Sequence, residues 1–137
     1  MLKTGPLTPP PPTLQTHQNG QILLFSLASP TRADLDDITS AVVQQVAAWD
    51  AQKPWLVLYD VSRGQVTPYA RDRLRYIGDS IPMHFYGRTA IQLPDVVIAN
   101  IFKHLIKTIV PVQNSRMLRQ FFTQREAAVQ WLEAGLG

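Results

Sequence analysis

Two short apolar runs constrain this chain more than any other feature. Ile22-Leu23-Leu24-Phe25-Ser26-Leu27 and Pro54-Trp55-Leu56-Val57-Leu58-Tyr59-Asp60 are nearly unbroken in apolar, aromatic and β-branched residues. A strand with one solvated side alternates in polarity, so runs of this kind belong to strands covered on both faces. Between them the period changes. Leu35, Ile38, Val42, Val46 and Trp49 recur at spacings of three and four, which predicts a helix from Arg32 to about Gln52 with Thr31 as its cap. A helix between two buried strands is the crossover that parallel neighbours need.

The same reading extends in both directions. Thr13 to Thr16 and Gln21 to Leu27 flank His17-Gln18-Asn19-Gly20, where Asn19-Gly20 supplies the positive φ angles of a hairpin turn. Thr67-Pro68 places a capping hydroxyl before a proline at the first helical position, predicting a second helix to about Gly78. Its apolar side is thin, comprising Ala70, Leu74 and Ile77. Arg88 to Leu93 is a further strand, and Pro94-Asp95 opens a third helix that runs to Ile109 and stops at Pro111. Arg116 to Phe121 is the last strand. Thr123-Gln124-Arg125-Glu126 has the form of a capping box, and Ala127, Ala128, Trp131 and Leu132 follow as the inward face of a fourth helix ended by Gly135. The expected fold is α/β: a mixed β-sheet with an N-terminal hairpin and four α-helices in the order β-β-α-β-α-β-α-β-α, its parallel steps joined by right-handed crossovers.

Length and composition agree with one such domain. The chain has 137 residues, 45% of them hydrophobic and 17% charged, within the range of a single folded core. Five prolines fall within residues 1–12, which are expected to form a flexible or polyproline lead-in to a domain spanning 13–137. No apolar core follows the first residues as in a secretory signal, and no stretch has the length and apolarity to span a bilayer. With zero cysteines, disulfides, thiolate nucleophiles and cysteine zinc sites are excluded, and a reducing cytoplasm is the expected setting.

Catalytic signatures are absent. The chain contains no nucleophile elbow, Walker loop, paired-histidine zinc motif or dinucleotide fingerprint. His17, His84 and His104 have no chelating spacing, and Asp34, Asp36 and Asp37 suit the first turns of a helix better than a metal. No cofactor is called for. Residues 1–60 carry three basic against five acidic side chains, while residues 61–137 carry ten against five. This basic excess is spread over several elements without interleaved aromatics, which argues against nucleic acid as the partner.

Two segments stand out. The first is the start of the second helix, where Ser62 and Thr67 offer hydroxyls and Arg63, Arg71 and Arg75 offer charge, a candidate anion or phosphorylation site. The second is the third helix. Val97, Ile98, Ile101, Phe102, Leu105 and Ile106 contribute to an apolar surface wider than one sheet face covers, a candidate homodimer face or wall of an apolar-ligand cavity. Met83, Phe85 and Tyr86 in the preceding loop add to it.

The Asp60-Val61-Ser62 turn, the Arg88-Thr89-Ala90-Ile91 strand and the closing Phe121-Phe122-Thr123 with Glu126-Ala127 and Trp131-Leu132 together resemble the small SpoIIAA-like proteins, relatives of the STAS domain. The resemblance covers about Thr13 to Leu132. It implies a SpoIIAA-like (STAS-like) sheet and a non-enzymatic regulatory module working through protein contacts, with a serine or threonine near the second helix phosphorylated to release a kinase partner. The family's Asp-Ser-Ser/Thr-Gly run is replaced here by Ser62-Arg63-Gly64-Gln65-Val66-Thr67-Pro68. Other relatives border on the lipid-binding Sec14 group, which implies the alternative of a binder or carrier of an apolar small molecule or lipid through the third helix. The expected partners are a second copy of the chain, an unidentified protein, or that ligand.

Overall fold

The computed structural model describes residues 12–94, 98–111 and 116–136. Nearly all of the expected proline-rich lead-in, and Val97 of the third-helix surface, lie outside the described residues. The elements run β1 (Leu14–His17), β2 (Ile22–Ser26), α1 (Arg32–Ala48), β3 (Trp55–Asp60), α2 (Pro68–Ser80), β4 (Gly87–Gln92), α3 (Ala99–Ile109), β5 (Met117–Phe122) and α4 (Arg125–Glu133), closed by a 3₁₀ turn at Ala134–Leu136. The protein is therefore α/β with a five-stranded mixed sheet and four helices, in the element order read from the periodicity.

The strands lie in sequence order, β1-β2-β3-β4-β5. Only β1 is antiparallel to its neighbour, and the other pairs are parallel. Gln18 and Asn19 both adopt left-handed φ angles, 54° and 58°, and with Gly20 they turn the chain from β1 into β2. Because each crossover steps the same way across the sheet, a common hand sends α1, α2 and α3 to one face. The core divides accordingly. Leu23, Phe25, Trp55 and Val57 pack with Leu35, Ile38 and Val42 of α1 on that face. Their alternating neighbours Ile22, Leu24, Leu56 and Leu58 pack with Ala128 and Leu132 of α4 on the other. Both faces of β2 and β3 are thus covered, as their unbroken apolar runs require.

Several element ends differ from expectation. Helix α1 closes at Ala48 because the Trp49 N–H returns to the Val46 carbonyl, and the indole donates to Lys53 O at 3.2 Å. At α4 the N-cap is Gln124, with no side-chain cap, so Thr123 and Glu126 do not form the expected box. Glu126 has moved into the first turn, where its charge still meets the positive end of the helix dipole. Ala127 is exposed, and Gly135 lies inside the 3₁₀ turn. The cap of α1 is as expected, Thr31 Oγ1 accepting from Asp34 N at 3.2 Å. Gly87 has a structural reason: its φ is 143°, and a Cβ there would come within 2.3 Å of the Trp55 carbonyl oxygen.

Helix α4 is tied down at both ends. Arg125 reaches Asp60 at 3.3 Å and Gln15 at 3.1 Å, while Glu133 accepts from Gln18 at 2.7 Å and bonds the His17 ring at 3.0 Å. Arg88 donates to the Trp131 carbonyl at 2.8 Å, its guanidinium 5.1 Å from the indole. By contrast, α2 buries no residue, and its close backbone approaches are to α1 and α3.

Candidate ligand cavity

Between α2 and the sheet lies an apolar cavity of about 380 Å³. Pockets that hold small molecules fall in this range, and an apolar void of roughly 150 Å³ already admits benzene. The floor is the helix-bearing face of the sheet, with Trp55, Tyr59, Thr89, Ile91, Met117 and Arg119. Ala70, Leu74 and Ile77 of α2 form the roof. Leu35 and Ile38 of α1 close one side, and Phe102, Leu105, Ile106 and Ile109 of α3 close the opposite one.

The cavity follows from the local sequence. The inner side of α2 is too thin to fill the space between α1 and α3, and the helices instead touch each other. Gly78 on α2 permits this, since a Cβ there would meet Val110 just past α3 at 2.6 Å. The helix pair therefore closes over the sheet at that point and leaves the space beneath open.

Polar groups in the lining are few. Tyr59 stacks on Phe25 with ring centroids 5.7 Å apart, and burial holds its hydroxyl neutral, above the usual phenol range. Thr89 Oγ1 faces Met117 Sδ at 3.5 Å. Arg119 is half-buried; it donates to the Val110 carbonyl at the end of α3, and desolvation lowers its pKa from the ordinary guanidinium value. Arg71, Arg73 and Asp79 of α2 are the other charged lining residues among those described.

The two segments singled out from sequence behave differently. Of the third-helix residues, Phe102 and Ile106 are buried and Leu105 half-buried, all in the cavity wall, while Ile98 and Ile101 point outward, 42% and 60% exposed. Most of the apolar excess on α3 is thus consumed inward. At the start of α2, Ser62 Oγ donates to Asp60 Oδ1 at 2.6 Å, the same carboxylate oxygen that accepts from Ser62 N at 3.0 Å. Thr67 Oγ1 accepts from Ala70 N at 3.1 Å. Both hydroxyls therefore serve their own turns. Arg63, Arg71 and Arg75 are exposed, and of these Arg71 reaches the cavity rim.

The chain matches no family model, no curated protein and no solved structure.

Other chemistry is sparse. No group of three potential metal ligands occurs among the described residues. Asp60 is committed to Ser62 and Arg125, while His84 is exposed and set edge-on to Phe85 at 5.3 Å. No helix among the described residues is long and apolar enough to cross a membrane. Sequence reasoning named the α3 wall of the cavity but missed the floor. Arg119 carried no signal there, because a lone arginine in a short edge strand reads as ordinary surface.

Proposed function

We propose that this domain binds an apolar small molecule or lipid in the cavity beneath α2, without catalysing a reaction on it. The observation that carries the reading is the combination of an apolar space of about 380 Å³ with a roof helix whose apolar residues Ala70, Leu74 and Ile77 are only half-buried. A partly open apolar pocket of that size leaves lining surface that a ligand would cover. The sequential sheet with its leading hairpin supports reading the chain as SpoIIAA-like, on the side of that group bordering the Sec14 proteins. The test is titration of the neutral fluorophore N-phenyl-1-naphthylamine, with native mass spectrometry for co-purified ligand. The wild type is expected to bind and Leu74→Trp, which fills the space from the roof, to lose binding while keeping its circular dichroism spectrum. No probe and no ligand bound by the wild type would overturn the reading.

A regulatory role through protein contact is the second reading, supported by the exposure of Arg63, Arg71 and Arg75 on and before a helix that has no fully buried residue. A ligand that shifted α2 would shift that surface with it. The phosphoacceptor part of this reading has less support, since Ser62 and Thr67 are already engaged. Among the described residues, self-association through α3 rests on the exposed Ile98 and Ile101.

A further inference from the structure

Arg119 is the one charged side chain that the sheet sends into the cavity among the described residues. On the helix-bearing face of β5 it stands between Met117 and Phe121, opposite Thr89 of β4. The outward face of the same strand carries Leu118, which is 51% exposed. The usual polarity of a strand is inverted at this point: an arginine turns toward the apolar space and a leucine toward solvent.

The guanidinium donates to a neutral carbonyl, that of Val110. No ion pair joins Arg119 to a carboxylate among the described residues. Instead, further cations gather nearby. Lys103 and Lys107 of α3 lie 5.7 and 5.9 Å from the Phe121 ring, and Arg119 lies 5.6 Å from the same ring. Each of these groups gains only modest cation–π attraction from the ring, and none of them neutralises the Arg119 charge. The charges lining α2 are arranged otherwise, with Arg73 bonded to Asp72 at 2.8 Å and Arg71 and Asp79 exposed. A partly desolvated guanidinium without a counter-charge is unfavourable in itself.

We propose that the cavity takes an anionic single-chain amphiphile, its tail lying along Ile91 and Ile106 and its carboxylate or phosphate headgroup paired with Arg119. The proposal rests on the cavity reading above and names its ligand class. Arginine suits the task because its planar fork matches either oxyanion with paired hydrogen bonds. Charge complementarity and tail burial then act together, and each added methylene raises affinity about fourfold while it remains enclosed. An inward charge on an edge strand also discourages strand addition. That role alone would leave ligand preference untouched, which makes the two accounts separable.

The experiment compares decanoate, decyl phosphate and 1-decanol as competitors of the bound neutral fluorophore, below their micelle concentrations, in wild type, Arg119→Gln, Arg119→Lys and Arg71→Gln. The expected result is that at least one anion outcompetes the alcohol by about tenfold or more, the gain of a charge-assisted bond. Which anion does so identifies the headgroup. Arg119→Gln should bring the anion-to-alcohol ratio near one, and Arg119→Lys should restore part of the preference. Because the ratio is internal to each variant, general loosening of α3 would not mimic it, and Arg119→Lys serves if Arg119→Gln does not fold. Equal binding of all three ligands by the wild type would overturn the inference and leave the cavity reading standing. A preference that survives at Arg119→Gln and disappears at Arg71→Gln would overturn it too, moving the headgroup to the rim. Displacement by none of the three would overturn it as well, and absence of fluorophore binding in the first place would end both readings.

Discussion

Single charged residues in this protein divide into those whose partners are built in and those whose partners are not. Asp60 is the first kind, receiving Ser62 and Arg125 at the carboxyl end of β3, whereas Arg119 donates to the neutral Val110 carbonyl and forms no ion pair among the described residues. Glu133 also belongs to the first kind and gives a pH dependence. Hydrogen bonds from Gln18 and then His17 hold its carboxyl below the usual carboxylate range. A group whose folded pKa is depressed binds protons less readily than in the unfolded chain. Its contribution is therefore present above the unfolded value, about 4.3 for glutamate, and disappears as pH falls through the lower folded value. The expected outcome is a Glu133 titration midpoint below that reference by carboxyl carbon NMR. Glu133→Gln should also have a shallower loss of stability than the wild type across the same acid window. An unshifted midpoint would mean that the α4 end is not docked on the β1–β2 turn in solution.

At the scale of elements, the contrast is between β3, which is packed on both faces, and α2, which roofs a space. Leu58 is fully buried against the α4 side, whereas Leu74 is half-buried and lines the cavity. Leu58→Ala should therefore cost about 3 kcal/mol or more, and Leu74→Ala under about 1.5 kcal/mol, because little packing is lost where little existed. Urea denaturation of both variants checks the difference, and equal losses would mean that α2 collapses onto the sheet. The sequence made the elements themselves legible. Leu35, Ile38 and Val42 share one face only as a helix, and the short runs in β2 and β3, with their β-branched and aromatic residues, favour strands. Element ends were less legible, since they turn on single hydrogen bonds: Trp49 leaves α1 through its return to Val46, and Gln124 takes the capping place that Thr123-Glu126 suggested. The thin apolar side of α2 was visible, but its consequence was not. Whether Ala70, Leu74 and Ile77 rest on the sheet or above a void depends on how α1 and α3 hold the helix, a tertiary matter that no window of sequence contains.

Across the whole molecule, a sheet built by steps in one direction loads three helices on one face and leaves the other to α4 alone. The lone helix must then be fastened separately, and it is, by Arg125 at one end, Glu133 at the other and Arg88 between them. The crowded face has the opposite condition, since three helices share one sheet surface and the middle one has no fully buried residue. Stability should accordingly be uneven, with β2, β3 and α4 opening only on global unfolding and α2 opening locally at much lower free energy. Hydrogen exchange followed by mass spectrometry is expected to show α2 amides exchanging well ahead of those in β3 and α4. Decanoate at saturation is expected to slow α2 and the end of α3 while leaving β1 and α4 unchanged, because the ligand bridges roof and floor without touching the far face. Protection of α2 equal to that of β3 in the free protein would mean that the roof is already firmly seated on the sheet. Slowing confined to β5 would place the ligand on the sheet edge instead of under the helix.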